Sequence, residues 1–96
     1  MKIKMDGGAK MFTSRPQQVW DGSELMQTAR FAGQRMEVIT DDKGGFDLNY
    51  LGYEAGGFKT MDAAKAAAPE FAKTVLAQLS SLIKTEPESA PETPSL

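Results

Sequence analysis

The sequence predicts an α+β domain in which a long C-terminal helix packs on a small antiparallel sheet. Residues 35–51 alternate apolar and polar side chains on both sides of a glycine-containing turn, which is the pattern of a β-hairpin with one apolar face. Residues 61–83 repeat apolar side chains every three or four positions, as a helix does. The pair Gly56-Gly57 lies between the two patterns and marks the passage from sheet to helix.

The chain is long enough for one domain, and its composition divides it into three parts. Residues 1–20 carry four basic side chains against one acidic side chain, and we expect a basic arm there with one edge strand at most. Residues 21–84 form the α-β-β(-β)-α domain. Residues 85–96 hold three prolines and three glutamates without an apolar run, which predicts a disordered acidic tail.

A first helix is predicted to begin after Asp21, because Asp21 and Glu24 have the spacing of a capping box. Apolar residues follow at helical spacing, and Gly33 stands where a glycine commonly ends a helix. Residues 23–32 also fit a strand, since their apolar side chains share a period of two as well. The two end signals favour the helix.

The hairpin strands are the segments that flank the turn Asp41–Gly45. In the second of them Phe46, Leu48 and Tyr50 fall on one face, while the residues between them are polar. Residues 53–58 follow as a short third strand or a closing loop. The sequence therefore predicts a sheet of two or three antiparallel strands.

The long helix is predicted to begin at Thr60, whose side chain is of the type that caps a helix N-terminus. Pro69 lies inside the helical pattern, where proline lacks the amide hydrogen that the helix needs. We therefore expect a kink or a break near Ala67-Ala68.

The absence of histidine and cysteine excludes the usual proton shuttles, nucleophile pairs, disulfides and most zinc sites. The remaining carboxylates include Asp41 and Asp42, which are more simply explained as turn residues. We therefore expect no enzyme activity, no cofactor and no metal. No apolar run approaches the length of a membrane span, and residues 1–14 do not resemble a secretory signal, so a cytoplasmic protein is expected.

The stretch from Gly52 to Thr60 comes close to a phosphate-binding loop, because glycines, a lysine and a threonine lie between a predicted strand and a predicted helix. Phe58 interrupts the match, since the lysine of such a loop follows its last glycine directly. We therefore expect Phe58 to enter the core. A nucleotide or small-molecule site at this loop is the second alternative function.

The C-terminal half resembles the double-stranded RNA-binding domains. The resemblance rests on the alternation Phe46-x-Leu48-x-Tyr50, the turn Gly56-Gly57-Phe58-Lys59-Thr60 and the segment Ala64-Lys65-x-Ala67-Ala68. It implies a helix, three antiparallel strands and a second helix, with duplex RNA as the ligand. The two adjacent lysines of the family signature correspond here to Met61 and Asp62. Duplex RNA or DNA binding is therefore the first alternative function, through the residues Lys10, Arg15, Lys59 and Lys65.

The preferred hypothesis is a small non-catalytic protein that binds a macromolecular partner, with a second protein or a second copy of itself as the expected partner and no membrane. In size and in lack of catalytic residues the chain is similar to the accessory and inhibitor proteins of phages. The basic and apolar side chains of the arm are the expected contact residues. They are Lys2, Lys4, Lys10, Met11, Phe12, Arg15 and Trp20.

Overall fold

The computed structural model describes residues 1–85, which form a five-stranded antiparallel sheet and two helices. The strands neighbour one another in chain order, and the second helix packs on the sheet. The predicted α+β class and the long C-terminal helix are confirmed. The predicted disordered tail lies, from residue 86 onward, outside the described residues. The elements are α1 (Gly7–Thr13), β1 (Asp21–Gly22), β2 (Met26–Phe31), β3 (Gln34–Thr40), β4 (Phe46–Tyr50), β5 (Tyr53–Phe58) and α2 (Met61–Ser81).

The strand register gives the sheet two chemically different faces. Paired residues of antiparallel strands share a face, and successive residues alternate between faces. One face, the helix face, carries the buried side chains and is covered by α2. The other is called the open face, and it is mostly polar. The open-face residues are Asp21, Met26, Thr28, Arg30, Arg35, Glu37, Ile39, Asp47, Asn49 and Glu54.

The core lies between α2 and the central strands β3 and β4. Small side chains on the buried side of α2 let the helix approach the sheet closely, so that the larger side chains of the strands fill the space between them. The phenol of Tyr50, at the centre of this layer, donates a 2.6 Å hydrogen bond to the carbonyl of Phe31. The buried residues are Ala29, Phe31, Met36, Val38, Leu48, Tyr50, Ala64, Ala68, Ala72 and Val75.

The helix α2 begins as the sequence predicts and does not break. The Thr60 hydroxyl accepts a 3.0 Å hydrogen bond from the amide of Ala63, which is the expected N-cap. Pro69 lies inside one uninterrupted helix, and the predicted break near Ala67-Ala68 is wrong. Pro69 is exposed, so water can reach the carbonyl that its ring leaves without an amide partner.

The predicted helix over residues 21–33 is wrong, because this segment forms β1, β2 and the turns beside them. The Ser23 hydroxyl accepts hydrogen bonds from the amides of Leu25 and Met26, so the expected cap region is the turn between two strands. Ala32 and Gly33 both have positive φ, at 52° and 78°, and form the two-residue turn of a β-hairpin. The residues that suggested the ends of a helix therefore lie at or beside turns, and the alternative prediction of a strand is confirmed.

The number of strands and the structure of the arm also differ from the predictions. The sheet has five strands instead of two or three, since β1 and β2 join the predicted hairpin and β5. The arm was expected to hold one edge strand at most, and in the structure residues 1–20 contain the helix α1 and no strand. The Asp6 carboxylate caps this helix by accepting a 2.9 Å hydrogen bond from the amide of Ala9.

The close packing of α2 predicts that Ala68→Leu destabilises the protein. Ala68 is fully buried, and the added methylenes must displace neighbouring side chains at a cost of about 1–3 kcal/mol. Urea unfolding followed by circular dichroism measures this cost. The matched control is Ala66→Leu on the exposed side of the same helix, which should leave the unfolding free energy nearly unchanged. An equal loss of unfolding free energy in the two variants would contradict the close packing of α2 at Ala68.

The buried hydrogen bond of Tyr50 predicts that Tyr50→Phe lowers the unfolding free energy by about 0.5–1.5 kcal/mol, because the bond from the phenol to the Phe31 carbonyl is lost. Tyr53→Phe at a half-buried position is the control and should have little effect.

Burial also raises the pKa of the Tyr50 phenol above its ordinary value of 10.0. The folded state therefore holds this proton more tightly than the unfolded chain does. The resulting stabilisation is fully present below about pH 10 and is lost as the pH rises through the raised pKa. The wild type should lose more stability than Tyr50→Phe in unfolding measurements above that pH.

Candidate functional site

The arm is anchored to the sheet beside the turn between β2 and β3. The amide of Gln18 donates a 2.7 Å hydrogen bond to the carbonyl of Arg30, and the amide of Gly33 donates a 2.9 Å bond to Oε1 of Gln17. Phe12 in α1 lies against Gly33, where an added Cβ would be 3.2 Å from the Cβ of Phe12. The structure therefore places α1 and the segment after it along the β2 side of the sheet.

The helix α1 exposes its apolar side chains to solvent. It buries none of its residues, and Met11 and Phe12 are 70% and 53% exposed. These side chains do not support the core, because the core forms between α2 and the strands. They are available to another molecule, and exposed apolar side chains that cluster at one place are typical of binding surfaces.

Two clefts adjoin this part of the chain and share Arg30. The arm cleft has a volume of about 200 Å³, and the sheet cleft, where the segment after α1 meets the open face, has about 280 Å³. Both combine apolar side chains with guanidinium groups. The arm cleft is lined by Gly8, Met11, Phe12, Arg15 and Arg30, and the sheet cleft by Pro16, Val19, Asp21, Thr28, Ala29, Arg30 and Arg35.

The arginines of the two clefts differ in how far their charges are compensated. Arg35 forms a 3.0 Å ion pair with Glu37 on the same face of β3. Arg30 donates a 3.3 Å hydrogen bond to the carbonyl of Gly33, which holds its side chain but does not neutralise it. Within residues 1–85 neither Arg15 nor Arg30 has an ion-pair partner. The positive charge of the clefts is therefore concentrated on Arg15 and Arg30.

The structure brings together some of the arm residues that were predicted to contact a partner. Met11, Phe12 and Arg15 line the arm cleft. Lys2 and Lys4 lie in the exposed segment before α1, which belongs to no helix or strand, and Lys10 is exposed on α1. The indole ring of Trp20 lies elsewhere, at the edge of the core. Its centroid is 5.9 Å from that of Phe31, and its side chain is half-buried.

The residues named for nucleic-acid binding do not line a common cleft. Arg15 belongs to the arm cleft, whereas Lys59 lines a separate cleft of about 270 Å³ with Asp41 and Lys43. Lys65 turns toward the sheet, where its Nζ donates a 3.1 Å hydrogen bond to Oε1 of Gln27. Nucleic-acid binding through these residues stays a prediction, as does the resemblance to double-stranded RNA-binding domains.

Most of the stretch from Gly52 to Thr60 is a strand, so it lacks the geometry of a phosphate-binding loop. A nucleotide or small-molecule site there stays a prediction. Residues 53–58 are the strand β5, and Gly52 belongs to the tight turn after β4. The amides of a strand alternate in direction and cannot converge on one phosphate as those of a loop do. Phe58 packs against the core, as expected.

The carboxylates in the turn after β3 hold the backbone. Oδ1 of Asp41 accepts hydrogen bonds from the amides of Lys43, at 2.7 Å, and Gly45, at 2.8 Å, which is the role predicted from the turn composition. In the part of the chain that the structure describes, no group of three carboxylates is arranged to hold a metal ion.

Neither helix among residues 1–85 is long and apolar enough to cross a membrane.

Arg30 and Arg35 were missed as site residues by reasoning from the sequence. Arg30 fell inside a predicted helix, where its partner across the sheet could not be foreseen. In the strand pairing Arg30 lies directly opposite Arg35, so both guanidinium groups are on the open face at the same end of the sheet. The signal that could have found Arg30 was the alternation with buried Ala29 and Phe31 on either side.

No protein-family model, no curated protein and no solved structure matches this chain.

The contact between Phe12 and Gly33 predicts that Gly33→Ala releases α1 from the sheet. The matched control is Gly44→Ala, which has a similar positive φ of 84° but no atom within 4 Å of the added Cβ. Both variants should lose about 1 kcal/mol or more from backbone strain. Only Gly33→Ala should show faster tryptic cleavage after Lys10, which lies in α1. Equal cleavage rates in the two variants would contradict the anchoring of the arm.

Proposed function

We propose that this protein is a non-catalytic binding protein that holds a partner protein in the arm cleft and the sheet cleft. The partner segment carries carboxylates, which pair with Arg15 and Arg30, and apolar side chains, which pack on Met11 and Phe12. The observation that carries the proposal is the position of Arg30, which lines both clefts and joins them into one surface.

The charge of this surface supports a carboxylate ligand. A guanidinium group matches a carboxylate with two parallel hydrogen bonds, and such pairs are stronger when the arginine has no competing acid beside it. Within the described residues neither Arg15 nor Arg30 forms an ion pair, and the acid that lines the sheet cleft with Arg30 is Asp21. The bond from Arg30 to the Gly33 carbonyl fixes its side chain beforehand, which lowers the entropy cost of binding.

The apolar part of the surface supports a protein as the partner. Interfaces between proteins combine exposed aromatic and methionine side chains with arginine, and the arm cleft has all three types of residue. Of the residues named for nucleic-acid binding only Arg15 lines these clefts, so the surface gives less support to that alternative. A cytoplasmic accessory or inhibitor role, of the phage type, fits this mode of binding.

Selection from a random peptide library displayed on phage tests the proposal. We expect the selected peptides to combine glutamate or aspartate with leucine, phenylalanine or another large apolar residue. Fluorescence anisotropy then measures the affinity of a selected peptide for the variants. Arg15→Glu should weaken binding by at least about tenfold, because a charge-assisted hydrogen bond contributes about 1.5–3 kcal/mol. Arg30→Gln should weaken it by a similar factor.

The matched control is Lys84→Glu, which makes the same change of charge beyond the end of α2 and should leave the affinity unchanged. Circular dichroism checks that each variant is folded. Selection of peptides without acidic residues, or equal loss in all three variants, would contradict the proposal. Binding of duplex RNA or DNA at low salt that weakens steeply as salt increases would support the nucleic-acid alternative instead.

A further inference from the structure

The strand β5 is an open edge of the sheet within the described residues. It pairs with β4 on one side, and the strand order ends there. An edge strand presents unpaired amide and carbonyl groups that can accept another strand. The pairing with β4 is regular from Tyr53 to Ala55 and shifts register beyond that point. An added strand would therefore find regular geometry along Tyr53–Ala55.

The two sides of this edge differ in chemistry. On the helix face β5 carries Tyr53, Ala55 and Phe58, which are half-buried and leave an apolar rim. On the open face it carries the exposed Glu54. Asp47 lies on the same face close to β5, because a Cβ added at Gly56 would be 2.6 Å from its Oδ1. An added strand that fits must be apolar on one face and basic on the other.

The segment Met1–Met5 has this pattern. Its odd positions are methionine or isoleucine, and its even positions are Lys2 and Lys4. In the structure the segment belongs to no helix or strand, and Ile3 is 88% exposed. Alternation with a period of two predicts a strand with one apolar face, but the segment has no strand partner among residues 1–85.

We propose that the segment Met1–Met5 of a second copy of this chain adds to the sheet as a strand beside β5. Its apolar side chains then lie on the helix face next to Tyr53 and Ala55. Lys2 and Lys4 lie on the open face, where they face Glu54 and Asp47. The inference is independent of the partner proposed for the two clefts, because it uses the opposite edge of the sheet.

The chain's own segment cannot reach this position. The arm is anchored beside β2, and the added strand would lie one spacing beyond β5, so four strand spacings of about 4.8 Å separate the two positions, which is about 19 Å. Six extended residues span at most about 20 Å. After the crossing almost no residue would remain to pair. A second copy has no such limit, and reciprocal exchange of the segments gives a closed two-fold dimer.

Sedimentation equilibrium measures the predicted dimer and its charge dependence. The double variant Lys2→Glu/Lys4→Glu should weaken dimerisation at least about tenfold, since two attractive pairs become repulsive. Glu54→Lys should weaken it by a similar factor. Combining the three substitutions should restore part of the dimerisation, because the pair at position 54 becomes attractive again while Asp47 still repels the segment. The control Lys10→Glu/Lys84→Glu changes the charge equally and should have no effect.

Cross-linking identifies which parts of the two copies meet. The chain contains no cysteine, so Lys2→Cys and Glu54→Cys can be made separately and mixed under oxidising conditions. We expect a covalent dimer of one copy of each variant, well above the amount of dimer within either variant alone. A monomer throughout the concentration series, or a dimer unaffected by the charge exchange, would overturn the inference. Peptide affinity of Glu54→Lys for the clefts should stay unchanged, because Glu54 lines neither cleft, and this separates the test from that of the proposed function.

Discussion

The structure depends on the packing of the alanine-rich side of α2 against the central strands of the sheet. Ala64 and Ala68 are fully buried, and so are Met36, Val38 and Leu48 opposite them. Neither layer could bury its apolar side alone, because a single sheet or helix of this size exposes it to water. The contact therefore selects which face of each strand is buried. The side chains on the opposite face of each strand are left on the open face.

The helix covers one face of the sheet, and the remaining surfaces are left for binding. The open face is polar and carries both signs of charge, with Arg30 and Arg35 at one end and Asp47 and Glu54 toward β5. The arm lies along the opposite side of the sheet from β5 and supplies apolar side chains that the core does not use. The two proposed binding surfaces thus lie at the two edges of one sheet, where they would not compete with folding or with each other.

The sequence indicated part of the candidate site but not its geometry. Met11, Phe12 and Arg15 could be named because exposed apolar and basic residues in a short arm have no use in a core. Arg30 could not, because its role depends on the hairpin that places it opposite Arg35 and on the arm that lies beside it. Trp20 was named for a surface, but the strand β2 brings Phe31 next to its ring, and the two pack together.

The sequence by itself determined the C-terminal helix with its Thr60 cap, the central hairpin and the turn at Asp41, because each follows from local periodicity or from side chains that bond nearby backbone. Only the tertiary structure decided whether residues 26–31 form a strand or a helix. Their pattern fits both periods, and the deciding contribution is the pairing with β3 together with burial of Ala29 and Phe31 in the core. That pairing and burial join residues distant in the chain, so the local pattern alone could not decide between strand and helix.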